Sequence, residues 1–203
     1  LHDVISNVFA HKAIEKGADG LIAVAAGAGG HASVKSPFAM IQEIRAWFDG
    51  PLALSGSMAS GGAILAAQAM GADFAYMGTR FIATQEAPVH ENVKKAIVAA
   101  SELDTRLVMR PLRNTERVLT NAAVERLLEK EKALGADLKF EDIIGEVAGV
   151  YPKIMMDGDM DAGAWSCGMV AGLIDDVPTA KELIDRIMTE ADSIIHQRLN
   201  GMY

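Results

Sequence analysis

Short, uniformly apolar runs alternate with amphipathic segments along the first half of the chain. Residues 21–24, 51–54 and 74–77 are four-residue runs of the kind that form buried strands. Residues 106–109 form a fourth run of this type. Because a helical segment follows each of the first three runs, the pattern predicts a βα repeat, which implies a parallel sheet.

The segments between the strands have apolar residues three or four positions apart, as helices do. Residues 4–16 are predicted to form the first helix, with Phe9 in its apolar stripe. Gly17-Ala18-Asp19 and Gly71-Ala72-Asp73 mark the same helix-to-strand junction, and glycine commonly ends a helix. Gly135-Ala136-Asp137 repeats the tripeptide by coincidence, because a helical pattern follows it.

Parallel βα crossovers are right-handed, which leaves two architectures, a closed barrel and an open doubly wound sheet. In both architectures, ligands bind at the carboxyl ends of the strands. The loops that follow the predicted strands are polar and rich in glycine, whereas the turns before them are plain. We therefore expect the functional residues in the loops after the strands.

The character of the chain changes at Arg113. Residues 115–134 are predicted to form a long charged helix, and residues 140–147 a shorter one. Residues 151–172 are rich in glycine and methionine and are predicted to be a loop, which at this length usually has a function. Asp176 is expected to cap the last helix.

The composition and net charge of the chain exclude some classes of binding partner. Half of the 203 residues are hydrophobic and the net charge is -8, which disfavours nucleic acid and anionic membranes as partners. Cys167 is the only cysteine, and no run approaches the ~20 apolar residues that span a bilayer, so we expect a cytoplasmic protein. Because the chain begins at Leu1 and enters a helical pattern at once, we also expect it to be a piece of a longer polypeptide.

Two kinds of loop carry candidate chemistry. The first predicted strand leads into Gly27-Ala28-Gly29-Gly30-His31, which places a histidine at the end of a flexible glycine loop. Histidine is a candidate acid or base near neutral pH, and a structural histidine is the alternative. The second kind comprises Ser55-Gly56-Ser57 and Gly78-Thr79, whose backbone N–H groups are predicted to grip one phosphate together. Ordinary βα turns are the alternative there.

The remaining polar residues give weaker signals. The histidines and the cysteine lack the spacing of a metal site. Cys167 is expected to pack inside the protein rather than to act as a nucleophile. Arg80 is expected to pair with a carboxylate such as Glu86. Met155, Met156 and Met160 are expected to fill a loop or core, with padding of a flat apolar ligand as the alternative.

Taken together, several stretches resemble the nitronate monooxygenase family, formerly called 2-nitropropane dioxygenases. The resemblance covers essentially the whole chain, in the order of the family. It rests on Ala28-Gly29-Gly30-His31, on 54–61, on 77–84, on Leu112-Arg113-Asn114-Thr115, on 158–166 and on 172–176.

The resemblance implies an FMN-dependent TIM (β/α)₈ barrel, of which this chain is the C-terminal half. Residues 1–112 would supply about strands five to eight of the barrel, and residues 113–203 a helical segment with a C-terminal loop and helix. The substrate would be a small molecule. The oligomeric state is left open.

The resemblance also implies roles for single residues. His31 would be the catalytic base. Ala28, Gly29 and Gly30 would lie along the flavin, and Ser55, Gly56, Ser57, Gly78 and Thr79 would hold the FMN phosphate. The sequence has Ser57 where many relatives have glycine, and donation from its backbone N–H is expected to survive this change if φ there is negative. It has Met169 where many have glutamine.

Three functions compete. The first is oxidation of alkyl nitronates. The second is NAD(P)H:quinone oxidoreduction with FMN on the same fold, which the segment from 112 to 176 resembles at least as closely. The third is an inactive half-barrel that lacks its N-terminal half.

Overall fold

The computed structural model describes residues 1–202, which form two compact units. One unit comprises residues 1–26, 33–77 and the segment from Pro178 onward. The other comprises residues 27–32 and 78–177. The glycine loop with His31 and the turn at Gly78 both belong to the second unit, whereas Ser55, Gly56 and Ser57 belong to the first.

In chain order, the strands and α-helices are β1 (His2–Val4), α1 (Asn7–Glu15), β2 (Leu21–Val24), β3 (Gly30–His31), α2 (Pro37–Arg45), β4 (Leu52–Ser55), α3 (Gly61–Met70), β5 (Phe74–Tyr76), α4 (Thr79–Ile82), α5 (Glu91–Ala99), β6 (Thr105–Val108), β7 (Glu116–Leu119), α6 (Ala122–Leu134), α7 (Phe140–Val147), α8 (Tyr151–Met155) and α9 (Ala180–Ile194). Shorter 3₁₀ segments lie at Glu102–Asp104, Gly135–Asp137 and Met169–Leu173.

The sheet of the first unit is wholly parallel, in the order β1-β2-β4-β5. All four residues of β2 are buried, as expected for an apolar strand with neighbours on both sides. Ser55 at the end of β4 stands opposite Val24 on one side and Tyr76 on the other. The α/β class with a parallel sheet is therefore confirmed, whereas closure into a barrel remains a prediction.

The first strand of this sheet was not predicted. Residues 2–4 form β1, so the helix that was predicted to begin at residue 4 begins at Asn7. Val4 is buried against the sheet, and the Ser6 hydroxyl accepts the Phe9 N–H at the helix start. A three-residue strand is too short to show a period, so its pairing with β2 decides its conformation. Phe9, expected in the apolar stripe, is half exposed.

The two Gly-Ala-Asp junctions are confirmed as helix ends followed by strands. Gly17 and Gly71 have φ of 91° and 110°, the left-handed conformation that glycine adopts without strain. At the second junction, the Asp73 carboxylate accepts the Arg45 Nη2–H at 2.8 Å and the Leu52 N–H at 2.9 Å. The Arg45 guanidinium also donates to the Gly71 carbonyl at 2.7 Å. This network ties α2, the end of α3 and β4 together.

The second unit holds an antiparallel sheet in the order β3-β7-β6. Two predictions were wrong here. The run at 106–109 overlaps β6, which is not a strand of the parallel sheet, and residues 116–119 form β7 instead of the start of a helix. The short connection between β6 and β7 allows an antiparallel hairpin but not a parallel crossover. Sequence periodicity identifies a strand without identifying its partner.

The helices after residue 119 agree better with the helix bounds predicted from the sequence. Helix α7 has the predicted bounds, and α6 begins at Ala122 once β7 has ended. Residues 151–172, predicted to be a loop, contain α8 and a 3₁₀ segment. The cap of α9 is Thr179, which shares a capping box with Glu182, and not Asp176 as predicted. Among residues 1–202, no helix has the length and apolarity needed to cross a membrane.

The Asp73 network makes stability depend on pH. The hydrogen bond from the Leu52 N–H, followed by the Arg45 guanidinium, holds the pKa of Asp73 below its ordinary value of 3.8. The charged carboxylate thus stabilises the folded state above pH 3.8, and this contribution is lost as the pH falls through the folded-state pKa. We expect Asp73→Asn to lower the melting temperature at pH 7 by about 2–4 °C, and we expect the difference from wild type to shrink below pH 3.8.

Asp19→Asn is the matched control, because Asp19 occupies the same place in the first junction. Its side chain has no hydrogen bond or ion pair among residues 1–202. Thermal unfolding of both variants between pH 3 and pH 7 measures the effect. Equal melting temperatures for the two variants at pH 7 would contradict a stabilising role for Asp73.

Candidate active site

The glycine loop that carries His31 packs directly against residues 167–169. The Met169 N–H donates to the Gly27 carbonyl at 3.0 Å. A Cβ on Gly29 would lie 2.7 Å from the Cys167 carbonyl carbon and from the Gly168 nitrogen. Protein backbone therefore excludes a side chain at Gly29, and this contact requires glycine there with or without a ligand. Gly30, with φ of 74°, then turns the chain into β3.

His31 lies on β3, directly opposite Glu116 on β7. Its Nε2 is 2.9 Å from the Asn114 Oδ1 and 3.4 Å from the Glu116 Oε1. The His31 side chain is 68% exposed and that of Glu116 24%. Neither Asn114 nor Glu116 is predicted from the sequence to be a partner of His31. The only signal was that Asn114 lies in one of the stretches that resemble the family.

The turn that presents Asn114 has an unusual backbone. Met109 and Arg113 have φ of 58° and 55°, the left-handed region that side chains seldom adopt. The Asn114 N–H donates to the Met109 carbonyl at 3.3 Å, and the Met109 N–H donates to the carboxylate of Glu131 on α6. Burial raises the pKa of Glu131. These contacts hold the 109–114 turn in one conformation.

Thr79 belongs to the same cluster as the glycine loop. Its buried hydroxyl accepts the Gly168 N–H at 2.9 Å. Gly78 precedes it, and a Cβ there would meet no atom within 4 Å. The structure thus brings Gly27–His31 and Thr79 together through residues 167–169.

Ser55, Gly56 and Ser57 follow β4 in the first unit. Gly56 has φ of 126°, and a Cβ there would lie 2.9 Å from the Ala26 carbonyl oxygen and 3.0 Å from that of Ala25. The backbone N–H groups of Gly56 and Ser57 donate to no other group in residues 1–202. A turn with free N–H groups at the carboxyl end of a parallel strand is a suitable place for an anion.

The backbone of Ser57 differs from expectation. Backbone donation from this serine was expected on the condition of a negative φ, but its φ is 54°. The position therefore has the left-handed conformation that favours glycine, the residue that many relatives have there by the resemblance. The N–H is still free, so the turn keeps its donor although the serine is strained.

Arg80 is almost fully buried, and its side chain is held by the segment that leads to α9. Its Nη2–H donates to the Asp176 Oδ1 at 3.1 Å and to the Ala83 carbonyl at 3.2 Å. The expected pairing of Arg80 with a carboxylate is thus confirmed, and Asp176 supplies that carboxylate where Glu86 was the example named. Asp176 fixes the turn after Gly78 instead of capping a helix.

Cys167 is fully buried, as expected for a packing residue. Burial raises the pKa of its thiol to about 12, although a hydrogen bond with Thr79 acts in the opposite direction. A thiol with this pKa is protonated at neutral pH and is a poor nucleophile.

An apolar cleft of ≈ 550 Å³ lies in the second unit. It is lined by Gly78, Phe81, Ile82, Pro88, Met155 and Met156, among others. Two of the methionines that could pad an apolar ligand therefore line the same cleft as Gly78. Within the described residues, no three His, Cys, Asp or Glu side chains are grouped as a metal site requires.

A model of the nitronate monooxygenase family matches residues 3–190 of the chain. A curated protein of Rhodococcus jostii, "(3aS,4S,5R,7aS)-5-hydroxy-7a-methyl-1-oxo-octahydro-1H-indene-4-carboxyl-CoA dehydrogenase", is 28% identical over 218 residues, which cover 90% of this chain and 61% of that protein. The protein of the same name from Mycobacterium tuberculosis is 26% identical and matches 90% of this chain and 62% of its own length. The chain thus spans about three-fifths of the length of these curated relatives.

Solved structures of related proteins superpose on nearly the whole of this chain. FabK from Thermotoga maritima superposes with a TM-score of 0.90 at 29% identity, over 99% of this chain and 63% of FabK. A nitroalkane oxidase from Streptomyces ansochromogenes superposes with a TM-score of 0.75 over 94% of this chain and 56% of its own. At 24% identity, the second likeness is one of fold.

Proposed function

Because the chain belongs to the nitronate monooxygenase family, we propose that the protein is an FMN-dependent oxidoreductase that oxidises alkyl nitronates. The observation that carries this proposal is the position of His31, whose imidazole is exposed at the end of a rigidly packed glycine loop, beside a carboxylate. An imidazole in this setting is suited to take a proton from a small acidic substrate.

The proposed fold is the C-terminal half of a (β/α)₈ barrel. The four parallel strands β1, β2, β4 and β5 are the elements from which strands five to eight would be built. The other four strands would come from outside these residues, as the partial coverage of the relatives suggests. The division into a barrel part, 1–112, and a helical part, 113–203, remains a prediction.

Free backbone N–H groups support FMN as the cofactor. We propose that Ser55, Gly56 and Ser57 donate to its phosphate, since the donors of Gly56 and Ser57 lack protein partners. Gly78 and Thr79 were predicted to share in this role, and Gly78 has open space where a Cβ would be. Ala28, Gly29 and Gly30 would contact the flavin through their backbone. When bound, FMN supplies the redox chemistry that amino-acid side chains lack.

In the proposed reaction, His31 removes the α-proton of a neutral nitroalkane. The C–H bond breaks, its electron pair moves onto the nitro group, and the proton passes to the imidazole. The negative charge of Glu116 stabilises the imidazolium that forms.

A second candidate is reductive or dehydrogenating chemistry on another substrate. NAD(P)H:quinone oxidoreduction was the alternative from the sequence. The curated relatives add the dehydrogenation of a carboxyl-CoA compound, which their name states for them. Both alternatives use the same fold, so the substrate has to be tested directly.

Reaction of the flavin-loaded protein with two substrates separates these functions. With propyl nitronate we expect oxygen uptake, because oxygen is the electron acceptor of the proposed nitronate oxidation. With NADH in the absence of oxygen we expect the visible absorbance of the oxidised flavin to persist. Rapid bleaching by NADH without oxygen uptake on nitronate would reject nitronate oxidation in favour of the quinone function.

Replacement of His31 tests the base. We expect His31→Asn to bind FMN but to lose roughly 10²- to 10⁴-fold in turnover of neutral 1-nitropropane, the usual contribution of a general base. Turnover of pre-formed propyl nitronate should fall much less, because that anion needs no deprotonation. Steady-state kinetics with both substrates measure the difference, and an equal loss on both would rule out the base role.

Replacement of Gly78 tests the phosphate site. Because a Cβ there meets no protein atom within 4 Å, we expect Gly78→Val to fold normally. Its flavin affinity should fall roughly 10- to 100-fold, the loss for one charge-assisted hydrogen bond. Gly145→Val is the control, since Gly145 on α7 has the same open space.

Flavin fluorescence titration and thermal unfolding of both variants provide the comparison. Equal flavin affinity in Gly78→Val and Gly145→Val would count against the phosphate role. The third function, an inactive half-barrel, predicts that the 203-residue chain alone binds no stoichiometric flavin, and absorbance of the purified chain decides this.

A further inference from the structure

We propose that Asn114 and Glu116 are positioning residues that keep a proton on Nε2 of His31, so that Nδ1 is the atom that receives the substrate proton. This inference rests on the proposed function of His31 as a base. It goes further by naming the reacting atom and the two residues that select it.

The identity of the neighbouring atoms selects the tautomer. Nε2 faces the Asn114 Oδ1 at 2.9 Å and the Glu116 Oε1 at 3.4 Å. A carboxylate only accepts hydrogen bonds, so an unprotonated Nε2 would bring its lone pair towards a negative oxygen. With a proton on Nε2, the ring donates to the Asn114 Oδ1, and the Glu116 carboxylate lies close enough to favour the positive end of this N–H group. Neutral imidazole then has its lone pair on Nδ1, which has no hydrogen-bond partner among residues 1–202.

Backbone contacts on both sides fix this arrangement. His31 and Glu116 are direct cross-strand partners, whose side chains point to the same face of the sheet. The next residues are also joined, since the Ala32 N–H donates to the Thr115 carbonyl at 3.1 Å. The imidazole and its carboxylate therefore share one short ladder.

Asn114 is fixed by a second route. In the 109–114 turn, Met109 and Arg113 have left-handed backbone conformations. A hydrogen bond from the Asn114 N–H to the Met109 carbonyl closes the turn. Glu131 on α6 accepts the Met109 N–H and thereby anchors the turn. Strained backbone that is held by several contacts is a common feature of functional sites.

The proton transfer then has a defined course. The substrate C–H bond breaks and leaves its electron pair on the substrate, while a new N–H bond forms at Nδ1. The ring becomes an imidazolium with protons on both nitrogens. Its Nε2–H already donates to Asn114 and faces Glu116, so the positive charge forms beside a carboxylate that is 24% exposed and only partly screened.

Nitrogen NMR of the imidazole ring tests the tautomer without any substrate. In the purified wild-type protein, at a pH where His31 is neutral, we expect Nε2 to give a protonated-type shift and Nδ1 an unprotonated-type shift. In the double variant Asn114→Ala/Glu116→Gln, both shifts should move towards the average of two exchanging tautomers. Glu129→Gln, an exposed acidic residue of α6, is the matched control and should leave both shifts unchanged.

Kinetics provide the second measurement. In Glu116→Gln we expect turnover of neutral 1-nitropropane to fall roughly twofold to fivefold relative to turnover of propyl nitronate, the effect of one partly exposed ion pair. Glu116→Asp should recover part of this ratio. A purely structural role would lower both activities together and would not distinguish Asp from Gln.

The outcomes separate this inference from the proposed function. If the wild-type protein oxidises neither substrate, nitronate oxidation fails, and the nitrogen shifts still decide whether Asn114 and Glu116 select the tautomer. If both substrates are oxidised but neither the shifts nor the activity ratio respond to the variants, the positioning role is overturned and the proposed function stands.

Discussion

The close approach of two backbone segments, Gly27–Gly29 and Cys167–Met169, is the contact on which the candidate active site depends. No Cβ fits at Gly29, the Met169 N–H is bonded to the Gly27 carbonyl, and the Thr79 hydroxyl accepts the Gly168 N–H. Buried backbone groups need partners, so these bonds and the absence of a side chain act together. They hold the loop that leads into the strand carrying His31.

The same contact changes how the glycines are interpreted. Glycine in a loop after a parallel strand commonly allows a cofactor to approach the backbone. At Gly29 the neighbour is the protein's own chain, which alone is sufficient to require glycine. At Gly78, by contrast, the space beside the backbone is open. Glycines that look alike in sequence thus serve different purposes, since Gly29 is required by packing and Gly78 is not.

The parallel sheet depends on polar contacts as well as apolar packing. Asp73 and Arg45 bind the backbone at the turns around α2, α3 and β4. Within the second unit, Asp176 holds Arg80 after Gly78 in a similar way. Charged side chains at these turns satisfy carbonyl and N–H groups where regular structure ends.

Much of the fold was predictable because it depends on neighbours in the sequence. Runs of apolar residues identified β2, β4 and β5, helical spacing identified α7, and the Gly-Ala-Asp junctions identified two helix ends. The three-residue β1 and the strand β7 escaped prediction, because short strands are defined by partners that periodicity does not reveal. The cap of α9 was assigned wrongly because Thr179 lies close to Asp176 and also satisfies the local capping rule. The carboxylate that pairs with Arg80 could not be identified from the sequence, because Asp176 lies 96 residues away.

By itself, the sequence determined the α/β class, the family and the presence of a histidine after a glycine loop, all of which are local patterns. Only the tertiary structure decided what surrounds that histidine. Asn114 lies 83 residues from His31 in the chain, and Gly168 lies still further from Gly29. Contacts at such separations depend on strand pairing and backbone packing, which no local pattern encodes. The glycine loop was therefore recognisable from sequence, whereas the two acceptors that orient its imidazole were not.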